Sequence, residues 1–160
     1  MDIRLATPHD AETIAALNAT VQQVHAEALP HLFKPPAPET FPASLVRQLL
    51  ADPDTSIFIG SVNGAPAGYI YAQILRREET ALRYAWDRLF IHHLSIRPEY
   101  QRHGMGHALI QVVIRVAKEQ GISTIALDVW SVNTQARAFF AAQGFTVYNE
   151  NMWLQLSGQA

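Results

Sequence analysis

A strand, a short turn with two glycines and an amphipathic helix follow one another between Leu89 and Gly121. The stretch Leu89 to Ile96 is apolar enough for a buried strand, and apolar residues recur at helical spacing from Met105 to Val116. Gly121 then ends the helix. Because such a strand needs neighbouring strands and such a helix needs a sheet to pack on, the segment predicts an α/β protein.

The elements around this segment predict a mixed sheet with helices on both faces, in the order β-α-α-β-β-β-α-β-α-β. A hairpin turn is expected at Asn63-Gly64, since both residues tolerate positive φ. Two later strands are predicted at Thr124 to Trp130 and at Phe145 to Leu156, with a helix from Thr134 to Gln143 between them. The charged segment from Arg76 to Arg88 fits either a strand extension or a flexible loop.

Length and composition favour one domain that covers residues 1–160. Of these residues 49% are hydrophobic, which is ordinary globular usage. The formal net charge of −2 offers no basic face for nucleic acid, and the absence of cysteine excludes disulfides and a cysteine nucleophile. No apolar run reaches the roughly 20 residues that span a bilayer, and no signal-peptide pattern opens the chain. We therefore expect a cytoplasmic protein without a membrane partner.

The turn Gln101-Arg102-His103-Gly104-Met105-Gly106 stands where a strand leads into a helix. A helix N-terminus suits an anion, because its N–H groups are unpaired and lie at the positive end of the dipole. The two glycines let a diphosphate approach the backbone, but they fit equally well a helix start at which glycine only eases packing. A Walker loop and a dinucleotide fingerprint both fail, since no Gly-x-x-x-x-Gly-Lys string occurs and position 109 is Leu.

Two blocks of the sequence resemble the GCN5-related N-acetyltransferase (GNAT) family. Residues 101–106 resemble the family's Gln/Arg-x-x-Gly-x-Gly/Ala signature, and residues 97–100 resemble its usual Pro-x-Tyr lead-in. Residues 133–145 resemble its Asn-x-x-Ala-x-x-Phe-Tyr-x-x-x-Gly-Phe pattern at the family's spacing. The resemblance, which is to small bacterial members of unassigned acceptor, implies the acyl-CoA N-acyltransferase fold. That fold has a mostly antiparallel sheet splayed between two strands.

The resemblance also implies acetyl-CoA as the cofactor. Backbone amides of the turn would hold its pyrophosphate, the preceding strand would run along its pantetheine arm, and the helix that begins at Asn133 would contact it. Asn133 also fits a simple helix cap, and Phe139 fits core packing. The expected cofactor-binding residues are Leu94, Ser95, Ile96, Gln101, Arg102, His103, Gly104, Met105, Gly106, His107, Asn133, Phe139 and Phe140.

The implied reaction is direct attack of a primary amine on the thioester, which needs a proton acceptor for the amine and a proton donor for the thiolate. Many members carry Tyr where this chain has Phe140, so Tyr148 is the nearest substitute as donor. His92 and His93 stand where relatives often carry acidic residues, and a histidine pKa near ~6.5 suits a base. Adjacent strand residues point to opposite faces, so only one of the two histidines is expected to face the cleft.

The acceptor amine is expected beside the first two helices and their loop, as in the family. The charged segment 76–88 is a candidate flap over it. No metal ion is expected, because residues 25 and 27 point to different sides of a helix. The candidate substrate-binding residues are His25, Glu27, His31 and Phe33.

Three functions fit these observations. The first is a coenzyme A-dependent N-acetyltransferase that acts on an amine of a small molecule or a peptide. The second is a non-catalytic acyl-CoA-binding module, suggested by Phe140 where Tyr is usual. The third is another phosphate-binding domain that shares only the turn. The fold does not identify the acceptor, and a homodimer is allowed because dimers are common in the family.

Overall fold

Strand pairing sets the order of the central sheet. The computed structural model describes residues 1–156 and holds five strands in the spatial order β1-β2-β3-β4-β5. Neighbouring strands are antiparallel from β1 to β4, whereas β4 and β5 run parallel. The strands are β1 (Asp2–Leu5), β2 (Thr55–Val62), β3 (Ala65–Arg77), β4 (Trp86–Ile96) and β5 (Ile125–Leu127).

Helices cover both faces of this sheet, as predicted. On one face the first two helices close over a core that includes Ile57 and Tyr69, and on the other face the third closes over Ile70 and Leu89. Within residues 1–156, no helix combines the length and the apolar character that crossing a bilayer requires. The helices are α1 (Ala11–Ala28), α2 (Ala43–Ala51), α3 (Met105–Glu119) and α4 (Thr134–Ala142).

The hairpin between β2 and β3 turns at Asn63-Gly64, where φ is 50° and 79°, so the predicted turn is confirmed. The charged segment 76–88 is a strand extension only at its two ends. β3 continues to Arg77 and β4 begins at Trp86, which leaves residues 78–85 as the hairpin tip. A bridge between Thr80 and Arg83 closes that tip.

A β-bulge interrupts β4 at His92. Tyr71 pairs with His93 and the next pair joins Ala72 to Ile91, so His92 has no residue opposite it on β3. The extra residue shifts the alternation of side chains along the strand. His92 and His93 consequently both contact the ring of Tyr71. The prediction that only one histidine faces this side is wrong, because it assumed an unbroken strand.

The sheet is splayed between β4 and β5, as the resemblance implies. β5 pairs only with Leu89, Phe90 and Ile91, although β4 continues to Ile96. β5 is also shorter than the predicted strand 124–130, and Trp130 beyond it is 36% exposed. The rest of β4 therefore keeps an open edge toward the segment that follows β5.

The predicted strand from Phe145 to Leu156 does not form in the described part of the chain. Its residue types suit a strand, but a strand forms only by pairing, and the edge strand β5 has just 3 residues. Every residue from Thr146 to Leu156 is exposed instead. The segment contacts the remainder of the protein through aromatic rings, with Tyr148 beside Trp86 and Trp153 beside Trp130.

Candidate active site

The turn between β4 and α3 presents a row of backbone N–H groups. Arg102 has φ 65° and Gly104 has φ 86°, and α3 begins at the next residue. The N–H of Ala108 is the first in this region to bond back into the helix, to the carbonyl of Gly104 at 3.0 Å. Among residues 1–156, the N–H groups of residues 102–107 find no backbone acceptor. They lie at the positive end of α3, so the turn suits a phosphate.

The two glycines of the turn serve different purposes. Gly104 has a left-handed backbone, and a Cβ there would meet no protein atom within 4 Å, so space beside it is open to a ligand. Gly106 is buried, and a Cβ there would lie 3.0 Å from the ring of Phe139 and 3.3 Å from Ile96. The packing explanation therefore holds for Gly106, whereas the ligand explanation stays a prediction for Gly104.

Side chains around the turn fix it in place. Gln101 donates from Nε2 to the carbonyl of Ile96 at 2.9 Å, which ties the turn to the end of β4. His107 donates from Nδ1 to Oε1 of Gln143 at 2.7 Å, which ties α3 to the end of α4. Arg102 and His103 are exposed beside the row of N–H groups. The structure thus brings the predicted residues of the turn together at one end of β4.

The open edge of β4 leads from this turn back to the bulge. Leu94 and Ile96 pack their side chains against the α3-side core. Ser95 is buried, and its hydroxyl donates to the carbonyl of Leu17 in α1 at 2.6 Å. The side chains of this segment are therefore used for packing, and what it can offer a ligand is its backbone.

α4 carries the other predicted cofactor contacts. Asn133 caps this helix, since its Oδ1 accepts from the N–H of Ala136 at 3.0 Å. The rings of Phe139 and Phe140 are 5.2 Å apart and both pack, half-buried, against the α3-side core. Phe140 also meets Phe145 at 5.6 Å. These three residues have structural roles here, and their contact with the cofactor stays a prediction.

A chain of hydrogen bonds fixes the tautomer of His92. Nε2 of Gln73 donates to the carboxylate of Asp52 at 2.8 Å, so the amide turns its Oε1 toward Nε2 of His92 at 3.1 Å. An amide oxygen only accepts, and His92 must therefore carry its proton on Nε2. Burial lowers the pKa of His92 below its usual 6.5, while the charge of Asp128 opposes that effect. The ring is neutral at pH 7 and keeps a lone pair on Nδ1.

His93 is held in the same tautomer, but by hydrogen bonds at its other ring nitrogen, Nδ1. Nδ2 of Asn18 donates to the hydroxyl of Tyr69 at 2.9 Å and also lies 3.4 Å from Nδ1 of His93. The hydroxyl of Tyr69 then donates to the same Nδ1 at 2.8 Å. With donors around it Nδ1 accepts, so the neutral ring carries its proton on Nε2. Burial, together with the neighbouring His92 and His25, lowers the pKa of His93 to about 4.

The two histidines therefore show different groups on one face of the sheet. His92 keeps a lone pair on Nδ1, which can accept a proton. His93 keeps an N–H on Nε2, which can donate to an oxygen. Neither of these two nitrogens has a hydrogen-bond partner among residues 1–156. Such a pair suits a reaction in which one proton leaves a nucleophile while a carbonyl is polarised.

Aromatic rings line the side of the site next to the loop between α1 and α2. His25 lies 5.0 Å from Phe33, and Phe33 meets the edge of Trp130 at 5.4 Å. Trp153 then joins Trp130 at 5.9 Å and His31 at 6.3 Å. The structure thus brings three of the predicted substrate-binding residues together. The two tryptophans were not among the predicted site residues, because both fall in segments that were predicted as strands.

Glu27 and Tyr148 lie apart from this cluster. Glu27 accepts a hydrogen bond from Gln23 at 2.6 Å on the exposed side of α1. Tyr148 is 81% exposed, and its ring is 5.8 Å from Trp86 at the start of β4. Trp86 and His92 are roughly 20 Å apart along the strand, at ~3.3 Å per residue. The structure does not bring Tyr148 to the histidines.

A family model matches the part of the chain that forms this site. The model is described as "Acetyltransferase (GNAT) family", and it matches residues 26–145, well over half of the chain. The chain belongs to the GNAT family. The matched residues of this GNAT chain include the turn, the bulge with its two histidines and the helix that Asn133 caps.

Relatives of this GNAT chain include N-acetyltransferases of human and bacterial origin. Human N-acetyltransferase 8 is 34% identical over 58 residues, which cover 36% of this chain and 26% of that protein. The ribosomal protein bS18-alanine N-acetyltransferase of Escherichia coli (strain K12) is 31% identical over 83 residues, which cover 52% of this chain and 49% of that protein. The chain thus spans about a quarter and about half of the length of these two relatives.

A solved structure shows the same fold over nearly the whole chain. It is a mutant of the BH1408 protein from Bacillus halodurans, with a TM-score of 0.93 and 21% sequence identity. The superposition covers 98% of this chain and 99% of that one. The two proteins therefore share the overall fold, and at this identity the likeness extends to the fold alone.

Proposed function

We propose that this protein is an N-acetyltransferase that moves an acetyl group from acetyl-CoA to a primary amine of a small molecule or a peptide. The observation that carries the proposal is the path from the unpaired N–H groups of residues 102–107, along the open edge of β4, to the two histidines. Membership of the GNAT family supports the same activity. The E. coli relative, by its name, acts on an alanine of a ribosomal protein.

The residues along this path fit acetyl-CoA. The N–H groups of residues 102–107 and the exposed guanidinium of Arg102 suit a pyrophosphate. The open backbone of Leu94, Ser95 and Ile96 suits the amides of a pantetheine arm, much as it would suit a neighbouring strand. When bound there, acetyl-CoA supplies an activated carbonyl that an amine can attack without a covalent intermediate on the protein.

His92 and His93 divide the remaining chemistry. An alkylamine has a pKa near ~10.4 and is mostly protonated at neutral pH, so a proton acceptor beside it is useful. Nδ1 of His92 is that acceptor, held by the pair of Gln73 and Asp52. Nε2–H of His93 donates to the carbonyl oxygen, which gains negative charge as the amine attacks.

The proton for the departing thiolate has a separate source. Phe140 has none to give, so we propose that solvent supplies it, since a thiol has a pKa near ~8.5 and is mostly protonated at pH 7. Tyr148 remains a predicted donor, although it lies beside Trp86. Replacement of Tyr148 by Phe leaves kcat unchanged if solvent serves, and a tenfold loss of kcat would favour the tyrosine.

The aromatic side of the site suits the amine itself. A cation binds over aromatic faces, with roughly 0.5–2 kcal/mol per contact. Phe33, Trp130 and Trp153 form a row of such rings, and Trp130 is partly exposed. His25 and His31 lie at the two ends of this row, and Glu27 is one exposed carboxylate on α1. We propose that the ammonium form of the acceptor first binds here.

A non-catalytic acyl-CoA-binding module is the second candidate, and the absence of a hydroxyl at Phe140 is the observation that favours it. Two measurements separate the candidates. Isothermal titration with acetyl-CoA should give one site with micromolar affinity, and release of free thiol should then follow addition of amines. The acceptor panel should contain polyamines, aminoglycosides and short peptides with an N-terminal alanine.

Each outcome of these measurements has a definite meaning. No heat at millimolar acetyl-CoA would contradict both candidates, and only a phosphate-binding domain of another kind would remain. Binding without thiol release across the panel would favour the module. Thiol release that disappears in a His92→Phe variant, with acetyl-CoA affinity retained, would support the enzyme and its proposed base.

A further inference from the structure

A groove lies at the start of β4, between the tip of the β3–β4 hairpin and the segment that follows α4. Its volume is about 720 Å³. We call it the arginine groove, because three arginines line it and none of them forms an ion pair in the described part of the chain. The lining side chains that matter here are Arg77, Arg83, Arg88, Glu78, Trp86 and Tyr148.

The positive charge of the arginine groove is unusual for this protein. The whole chain carries a formal charge of −2, yet three guanidinium groups meet here with Glu78 as the acidic side chain of the lining. The nearby carboxylates of Asp54 and Asp87 are already paired with Arg76. A guanidinium without a carboxylate partner is suited to a planar, bidentate anion.

Arg88 is built into the wall of the arginine groove. Its guanidinium lies 5.1 Å over the ring of Trp86 and 5.2 Å over the ring of Phe90. Its Nε is buried and has no hydrogen-bond partner among residues 1–156. A buried N–H without an acceptor costs roughly 1–3 kcal/mol, so a ligand that accepts from it removes that cost. Rings on the guanidinium faces leave its N–H edge for such an acceptor.

The arginine groove and the histidines lie along one face of β4. Trp86, Arg88 and Phe90 alternate onto the same face, and the bulge keeps His92 on it. Side-chain contacts connect Arg88 to His92 through Phe90. The guanidinium of Arg88 lies over the ring of Phe90, and that ring is 4.9 Å from the ring of His92. Arg88 and His92 are roughly 13 Å apart along the strand, at ~3.3 Å per residue.

We propose that the arginine groove binds a carboxylate of the acceptor while the acceptor amine lies at His92. This inference rests on the proposed acetyl transfer. The acceptor then carries its amine and its carboxylate roughly 13 Å apart, and an extended peptide covers that span with about four residues, at ~3.3–3.6 Å per residue. Trp86 and Tyr148 would pack against the apolar part of the molecule next to the carboxylate.

Three alanine tetrapeptides test this inference through acetylation kinetics. One has a free C-terminal carboxylate, one has a C-terminal amide, and one has the amide together with a glutamate as last residue. The free acid should have a KM at least about tenfold lower than the plain amide, the effect of one bidentate contact. The glutamate peptide should recover the low KM only if the groove takes a side-chain carboxylate equally well.

Arginine variants test whether the arginine groove causes the difference in KM between the free acid and the plain amide. Arg88→Gln should remove the discrimination between the two peptides, so that the ratio of KM for the plain amide to KM for the free acid falls from at least about ten to about one. Arg115→Gln is the matched control, since Arg115 is an exposed arginine on α3, away from this face. If circular dichroism shows that Arg88→Gln is unfolded, Arg83→Gln at the hairpin tip replaces it in the same experiment.

Calorimetric titration of the peptides without acetyl-CoA separates this inference from the proposed function. Tighter binding of the acid than of the amide, lost in Arg88→Gln, would support the groove even if no peptide is acetylated, and in that case the proposed acetyl transfer to such peptides would fail. Equal affinity and equal KM for acid and amide in the unmodified protein would overturn the groove, whatever the acetylation rates.

Discussion

The two ends of β4 present different chemical groups, main-chain groups at one end and side chains at the other. At its C-terminal end the site consists of main-chain N–H groups in residues 102–107, and most side chains there are used for packing. At the bulge and the N-terminal end, the proposed functions belong to side chains, namely those of His92, His93 and Arg88. Substitutions at the first end should act through backbone conformation, and substitutions at the second should act through the identity of the side chain.

The largest effect is expected at the main-chain end, from Gly104→Glu. Position 104 has φ 86°, which favours glycine, and a carboxylate there would repel a phosphate. Affinity for acetyl-CoA should fall by about 1,000-fold, as measured by calorimetry. Gly121→Glu is the matched control, because Gly121 also has positive φ and open space around its Cα. A similar loss of affinity in both variants would mean that strain, rather than the site, is responsible.

The next effect is expected at the side-chain end, from His92→Phe. The phenyl ring can still stack on Tyr71, but it has no lone pair. We expect kcat to fall about 100-fold with unchanged affinity for acetyl-CoA, which is the usual contribution of a general base. Gln73→Leu should cost less, since it frees the tautomer of His92 without removing the ring.

The pH dependence of kcat also tests the role of His92 as the base. Burial lowers the pKa of His92 below 6.5, and a base must be unprotonated, so activity should be present above that pKa and lost as the pH falls through it. The His92→Phe variant should lack this acid limb. A limb that persists in the variant would assign the titration to another group.

A smaller effect concerns stability and involves His93. Its pKa is about 4 in the folded protein and near 6.5 when unfolded, so between these values only the unfolded chain binds the proton. The contribution of neutral His93 to the free energy of unfolding should be fully present above pH 6.5. It should be lost as the pH falls toward 4, by roughly 2 kcal/mol at pH 4.5. Urea unfolding of the unmodified protein and of His93→Gln at pH 7.5 and 4.5 measures the difference. Equal losses in both proteins would refute the assignment.

The smallest effect is expected from Asn133, the residue that caps α4. Asn133→Ala removes the cap of α4 and should cost about 1 kcal/mol of stability, whereas Asn133→Asp keeps an accepting oxygen and should not. If the amide N–H also contacts acetyl-CoA, both variants should bind it about threefold more weakly. Unchanged affinity in both would leave Asn133 as a cap only.

The main-chain end was predictable from the sequence because its causes are local. Gly104 and the start of α3 stand next to each other in the sequence, and a helix start with a left-handed glycine produces the row of N–H groups wherever it occurs. The turn at Asn63-Gly64 was predictable for the same reason. Neither depends on a distant part of the chain.

The side-chain end was only partly predictable because its causes are not local. The bulge at His92 depends on the register between β3 and β4, and nothing within β4 itself signals it. The partners of the histidines, Gln73 and Tyr69, come from another strand. The strand predicted over residues 145–156 is not formed for a related reason, since residue type favours a strand but pairing with a strand from elsewhere in the chain completes one.

Binding of acetyl-CoA along β4 can be followed by the amide chemical shifts of the ¹⁵N-labelled protein during titration. The largest shifts should belong to the N–H groups of residues 102–107 and of Leu94 to Ile96, with smaller shifts around the histidines. Largest shifts elsewhere, or none at millimolar acetyl-CoA, would contradict binding along β4.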